Sequence, residues 1–438
     1  MDDVDSPAIV LATSNGTGMG HLARAAATAL ACDGRARPVV FSLSQALPVV
    51  TEFGLRGEFC ARYPRLGMRE HSWQRYLAER IAALVAETGA RAFAFDGAWP
   101  YAGLQLARAA LPDIAFVWIR RAMWRPGANQ HALHRRGMFD LVIEPGDLAG
   151  SADHGATAAL DDARKVPPVT LLEGAPPVSR REAAAKLGLD PDRPAALVTL
   201  RADSLDEDSA SAAAVRTVLA RPGWQVALTR TPLSGEELTD DDRVMMLRGV
   251  FPLASYLSAF DIAVTEAGYN AAHEVLHAAV PAVLVPTSAA VTDDQAARAN
   301  WAAGEGLALT AREDEPDQVA ARTAELLDPD VRVKLADRCA QLPPPTGAAA
   351  TAELLREFAG GFDRHRFTVA ERARIARLSL RPLATRLLPR SARPARPEFV
   401  SDVTVPALRQ TPPPEHVLAG SSAGYLAARE RIARRYYH

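Results

Sequence analysis

An α/β fold built from two parallel-sheet domains is what this sequence predicts, and three observations carry the prediction. Short apolar runs alternate with stretches of helical periodicity along most of the chain. The length of 438 residues exceeds what one core ordinarily encloses. A proline-rich stretch, residues 166–178, divides the alternation into two series. Strands that alternate with helices imply parallel sheets covered on both faces. The expected organisation is a first domain over residues 1–165, a second over 166–345, and an arginine-rich extension over 346–438.

The first series opens with an apolar strand at 8–12, followed at once by Ser14-Asn15-Gly16-Thr17-Gly18-Met19-Gly20-His21. A helix over 22–31 and a strand over 38–43 come next, then a helix over 73–87 and a strand over 91–95. A helix over 101–110 and strands over 114–119 and 141–144 complete it. In the second series Ser179 is placed to cap a helix reaching residue 187, because its oxygen can accept from the free N–H groups of the first turn. Asp190-Pro191-Asp192-Arg193-Pro194 turns the chain into a strand over 195–200, and the series closes at Pro343-Pro344-Pro345.

Composition removes several function classes. The chain is 48% hydrophobic and 23% charged, with a net charge of −2 that conceals a basic tail and a correspondingly acidic body. The body therefore does not read as a nucleic-acid binder. Cys32, Cys60 and Cys339 form no CxxC pair, so neither a disulfide framework nor a cysteine zinc site is expected. The acidic start and the lack of an apolar run near 20 residues point to a cytoplasmic location.

Two motifs carry chemistry. Gly16, Gly18 and Gly20 lie between a strand and a helix, where absent side chains let backbone N–H groups approach a ligand. No acidic residue closes the second strand, which argues against a dinucleotide-binding dehydrogenase. His21, at the carboxyl edge of the sheet, suits a base that titrates near neutrality; the alternative is a packed or helix-capping histidine. Asp96, after the strand over 91–95, falls on the same edge and could orient the imidazole.

The second motif spans residues 251–300. A strand over 262–265 leads into Gly268-Tyr269-Asn270 and a helix, whose free N–H groups suit a diphosphate. Glu274 lies inside that helix, where its carboxylate could accept from ribose hydroxyls. A strand over 282–285 ends at Pro286, and the loop beyond holds Asp293-Asp294-Gln295, polar groups able to bind sugar hydroxyls.

This stretch resembles the donor-binding motif of nucleotide-sugar glycosyltransferases of the GT-B fold. Its spacing matches the Gly-Trp-Asn…Glu…Pro…Pro…Asp-Gln…Asn pattern of UDP-glycosyltransferases, with Tyr269 replacing Trp. It is similar also to the bacterial family that transfers N-acetylglucosamine to lipid-linked peptidoglycan precursor, which shares a glycine-rich, His-ending first loop like residues 16–21. The resemblance implies two Rossmann-like domains facing a cleft, and transfer of a sugar from a UDP-linked donor to an acceptor hydroxyl without cofactor or metal. Carried over residue by residue, Gly268, Asn270 and Ala271 would line the phosphates, Glu274 the ribose, and Asp294 with Gln295 the sugar. His21 would be the base with Asp96 as its partner, and Gly16, Gly18 and Gly20 the acceptor-side loop.

Two departures stand out. Glu266 occupies the position where those families usually place His or Arg. The glycine-rich loop after the second domain's first strand is replaced by Leu200-Arg201-Ala202-Asp203-Ser204, and Arg201 is expected to supply the missing positive charge to the donor. Glu266 and Glu274 also resemble the paired glutamates of retaining transferases, whereas the Asp-Gln and Asn tail favours inversion.

Three other readings stay open: a nucleotide-sugar epimerase of the same fold, a non-catalytic nucleotide-sugar binder, and a zinc metalloprotease through His273-Glu274-Val275-Leu276-His277, which fits H-E-x-x-H. Against the last, Val280 stands where the longer zinc motif needs glycine, and Pro281 cuts the helix. The basic tail reads either as a helix packed on the body or as a surface for anionic lipid or polymer. The latter would hold the chain peripherally at the inner face of the membrane, near a lipid-linked or polymeric acceptor.

Overall fold

The computed structural model describes residues 6–14, 19–200, 209–229, 241–247 and 249–387. Seven parallel strands form the first sheet: β1 (Ala8–Thr13), β2 (Arg37–Ser42), β3 (Arg56–Phe59), β4 (Ala90–Asp96), β5 (Ala115–Ile119), β6 (Leu141–Pro145) and β7 (Arg164–Val166), in the order β3-β2-β1-β4-β5-β6-β7. Six form the second: β8 (Ala195–Thr199), β9 (Gln225–Thr229), β10 (Val244–Leu247), β11 (Ile262–Glu266), β12 (Ala282–Val285) and β13 (Leu309–Thr310), in the order β10-β9-β8-β11-β12-β13. Every strand pair is parallel.

The central strands are apolar throughout because helices cover both of their faces; β1 is buried at all six positions. Side chains alternate between faces, so Val10, Phe93 and Phe116 enter one core while Ile9, Leu11, Ala94 and Val117 enter the other. Helix Gly20–Leu30 meets the second of these with Leu22, Ala25, Ala26 and Ala29. The edge strand β3 was not legible as an apolar run: it is RGEF, and none of its residues is buried.

After the three prolines the chain crosses back. Helix Gly347–Gly361 lays Ala348, Ala352, Leu355 and Ala359 into the first domain's core beside Ile9 and Ile143. The crossing is tight: a Cβ on Gly347 would lie 2.1 Å from the Pro167 carbonyl oxygen and 2.4 Å from that of Pro168. Glu173 caps the incoming helix, accepting from the N–H groups of Ala348 (2.6 Å) and Ala349 (2.8 Å). The extension therefore begins as part of the first domain's packing, a relation that alanine-rich periodicity cannot encode.

Helix Val369–Leu387 follows, packed on helices Glu70–Thr88 and Ala102–Ala110. Thr368 and Glu371 cap it reciprocally, and His365 bridges Asp140 (2.6 Å) and Glu371 (3.3 Å). Ile375 and Leu378 are half-buried, while Arg372, Arg374 and Arg377 are exposed. Among the described residues no helix is long and apolar enough to cross a membrane.

Candidate functional site

In each sheet the strand order reverses at one place, between β1 and β4 and between β8 and β11. Connections leave such a point in opposite directions and open a crevice at the carboxyl ends of the strands. His21 follows β1 in the first turn of helix Gly20–Leu30, and Asp96 is the last residue of β4. The reversal therefore brings them together, with His21 Nδ1 2.7 Å from Asp96 Oδ1. Arg24, three residues along the same helix, donates from Nε to Asp96 Oδ2 (2.9 Å) and from Nη2 to Oδ1 (2.7 Å). Such a two-pronged pair fixes the carboxylate in orientation as well as charge.

Burial would raise the Asp96 carboxyl, but Arg24 and His21 outweigh it and hold it at about 2. Burial also pushes the His21 ring below its ordinary value; Asp96 opposes that, and Arg24 and Arg121 add to it. A neutral ring with Nδ1–H on Asp96 keeps a lone pair on Nε2, which has no partner among the described residues. The arrangement can accept a proton at Nε2 and stabilise the cation that results.

Across the cleft, β11 ends at Glu266 and Gly268 is the N-cap of helix Tyr269–His277. Asn270 in its first turn donates to the Gly20 carbonyl (3.2 Å) and meets Arg24 Nη1 at 3.5 Å, so this helix start abuts the start of helix Gly20–Leu30. Ala271 is beside it, half-buried. The Tyr269 hydroxyl donates to Gly146 O and accepts from Val169 N, both 3.0 Å, which bolts the helix to the first domain. An indole at this position could donate but not accept. Three guanidinium groups surround the Tyr269 ring, those of Arg24 (5.2 Å), Arg121 (5.5 Å) and Arg298 (5.9 Å).

Glu274 lies one turn further on. Its carboxylate has no hydrogen-bond partner among the described residues, and burial pushes it up to about 8. Asp294 caps helix Gln295–Gly304 through the Ala297 N–H (3.1 Å), and Gln295 Oε1 accepts from Thr287 N (3.0 Å). Asp293 pairs with Arg121 (2.9 Å) and Arg298 (2.8 Å), and Arg298 also pairs with Asp147 (2.8 Å). Main-chain bonds from Arg125 N to Thr292 O (2.7 Å) and from Asp294 N to Met123 O (2.9 Å) join this loop to the first domain.

At the second reversal a cleft of about 300 Å³ is lined by Leu200, Ser209, Glu266, Val285 and Glu313 among others. Gly16, Gly18 and Arg201 lie outside the described residues. Gly20 is placed, its carbonyl taken by Asn270.

Sequence reasoning missed Arg24, Arg121, Arg298 and Asp147. Arg24 carried a usable signal, since a residue at i+3 from His21 shares its helix face. Arg121 and Asp147 carried none, because their partners lie in the other domain.

The H-E-x-x-H match has a different use. His273 Nε2 accepts from Leu148 N (3.1 Å) and Nδ1 donates to the Tyr269 carbonyl (2.6 Å), which leaves the ring no lone pair for zinc. No group of three or more His, Cys, Asp or Glu side chains among the described residues is arranged to hold a metal ion.

Comparison with known proteins bears on the same regions. Residues 226–346 match the glycosyltransferase family 28 C-terminal domain. A UDP-N-acetylglucosamine–N-acetylmuramyl-(pentapeptide) pyrophosphoryl-undecaprenol N-acetylglucosamine transferase of Xanthomonas oryzae pv. oryzae is 34% identical over 118 residues, 26% of each chain. The enzyme of that name from Clavibacter sepedonicus is 30% identical over 188 residues, 41% of this chain and 49% of the relative. The chain thus spans between about a quarter and half of the length of the curated relatives it matches. Among solved structures, the glycotransferase of kitacinnamycin superposes with a TM-score of 0.54 at 17% identity, covering 80% of this chain and 99% of its own. Acinetobacter baumannii MurG gives 0.51 at 18%, covering 80% and 100%. The chain has the GT-B fold, and its second domain resembles the glycosyltransferase family 28 C-terminal domain.

Proposed function

We propose that this chain transfers a sugar from a nucleotide-sugar donor, UDP-linked, to an acceptor hydroxyl with inversion. The observation that carries the reading is the His21–Asp96 contact of 2.7 Å, set against the first turn of helix Tyr269–His277 through Asn270 and Gly20. His21 Nε2 takes the proton of the acceptor hydroxyl as its oxygen attacks the anomeric carbon. The bond from that carbon to the diphosphate oxygen breaks, and the diphosphate leaves with the electron pair. The N–H groups at Gly268, Asn270 and Ala271 oppose the developing charge. Glu274 receives the ribose hydroxyls, and Asp294 with Gln295 lies at the sugar. Arg201 remains a candidate phosphate contact.

A thermal-shift screen against UDP-, TDP- and GDP-sugars tests the donor, because a ligand that binds only the folded chain raises its melting temperature. UDP-sugars are expected to stabilise it most; no shift with any of the three overturns the reading. An acceptor-dependent product of inverted anomeric configuration, formed equally in EDTA, is the second expectation. Conversion of a UDP-sugar without acceptor would instead make the chain an epimerase, and a donor bound but never consumed would make it a binder.

The names of the curated relatives, which include pyrophosphoryl-undecaprenol, favour a lipid-linked acceptor. The exposed Arg372, Arg374 and Arg377 suit contact with anionic headgroups. Co-sedimentation with anionic but not neutral vesicles tests that contact.

A further inference from the structure

Arg24 is buried, yet its guanidinium is shared among three groups in two domains. Nε and Nη2 grip both oxygens of Asp96, Nη2 lies 2.8 Å from His21 Nδ1, and Nη1 reaches Asn270 Oδ1 at 3.5 Å. Arg24 Nη2, His21 Nδ1 and Asp96 Oδ1 therefore form a triangle with sides of 2.7, 2.7 and 2.8 Å. We propose that Arg24 is a positioning residue for His21, and that through Asn270 it ties the setting of the imidazole to the packing of the two domains. The inference rests on the reading of His21 as the base for the acceptor.

The chemistry of the triangle gives the mechanism. Asp96 Oδ1 can only accept and Nη2 can only donate, so His21 Nδ1 is the one corner whose role is open. With both forks of Arg24 committed to Asp96, the carboxylate is fixed where Nδ1–H can point at Oδ1, and Nε2 keeps its lone pair. If the guanidinium turned from Asp96 onto Nδ1, the proton would move to Nε2 and the ring would lose its use as a base there. The third contact opposes that turn, because Asn270 holds Nη1 while its own amide is held by the Gly20 carbonyl. The charged groups facing the ring are Asp96 from β4, Arg24 from the ring's own helix and Arg121 from the segment after β5; the helix across the cleft presents the neutral Asn270. Of these Asp96 favours the imidazolium, and the two arginines oppose it.

Diethyl pyrocarbonate acylates only neutral imidazole, and His21 keeps 24% of its side chain exposed. Acylation of the His21 peptide in the full chain, followed by mass spectrometry across pH, therefore reads the ring without donor or acceptor. In Arg24→Gln the midpoint should move to higher pH, since a charge that opposed protonation is gone while Asp96 remains. Arg24→Lys keeps the charge but cannot span both oxygens and Asn270, so its midpoint should move up by less. Asn270→Ala frees Nη1 and lets the guanidinium turn onto Nδ1, so its midpoint should move down, opposite to the Arg24 variants. An unmoved or lowered midpoint in both Arg24 variants overturns the positioning role, and an unmoved or raised midpoint in Asn270→Ala overturns the link between domains. If Arg24→Gln fails to fold, the lysine variant carries the first test. The donor screen stands apart: a moved midpoint with no nucleotide-sugar stabilisation removes the transferase reading alone, and the reverse removes Arg24 alone.

Discussion

His21 and His273 sit on opposite sides of the cleft under closely matched influences. Each is pushed down by burial, pulled up chiefly by an aspartate, Asp96 or Asp147, and pushed down again chiefly by an arginine, Arg24 or Arg298. They differ in how many ring nitrogens the fold consumes. His273 has both taken, by Leu148 N and the Tyr269 carbonyl, whereas His21 has Nδ1 taken and, among the described residues, Nε2 open. Similar electrostatics thus accompany an interdomain fastening in one place and, in the other, the ring proposed as the base. Free valence at the second nitrogen separates them, and a sequence motif does not report it.

The sharpest way to break this comparison is to delete each ring. His21→Ala should lower transfer by about 10²- to 10⁴-fold, the usual worth of a positioned base, with its urea midpoint close to that of the parent. His273→Ala, in contrast, should show its effect in stability. Comparable losses of rate in two equally stable variants would remove the distinction.

Asp96→Asn comes next. It leaves the Arg24 guanidinium buried without a counter-charge, which should cost about 3–5 kcal/mol in urea unfolding. Asp96 is held near 2, below its unfolded value of 3.8, so its contribution is complete above pH 4 and lost as pH falls through about 2. The deficit of the asparagine variant should therefore shrink on acidification; a deficit constant with pH would mean the charge is not what matters.

His273→Ala strands the Leu148 N–H across the interface and should cost about 1–3 kcal/mol. Glu274→Gln is read as a pH dependence and not as a fixed loss. Glu274 is held near 8 against an unfolded 4.5, so between these values the folded chain binds a proton that the unfolded chain does not. Parent stability then falls as pH rises from about 4.5 to 8, and the glutamine variant, which cannot titrate, should gain on the parent over that window. A gap independent of pH would show that Glu274 is not desolvated in the free chain.

Much of this was legible beforehand. Apolar runs such as AIVLAT announced buried parallel strands, and a strand end followed by a glycine-rich turn announced a sheet edge where His21 and Asp96 could meet. What stayed hidden depends on partners distant in sequence. Asn270 reads as a phosphate residue, but its amide is also committed to Gly20, 250 positions away. Asp294 reads as a sugar residue, while locally it caps the helix that follows. The return of helix Gly347–Gly361 was hidden because an alanine face fits either sheet.

That return has a mechanical corollary. The chain passes between the domains twice, and the two passages touch where Gly347 lies against Pro167 and Pro168. Two pins set side by side act as a single bearing: they allow the halves to swing but leave little room to slide or separate. Any opening of the cleft must then be a rotation about that bearing. A chain cut at the three prolines would lose the second pin and, with it, a face of the first domain's core.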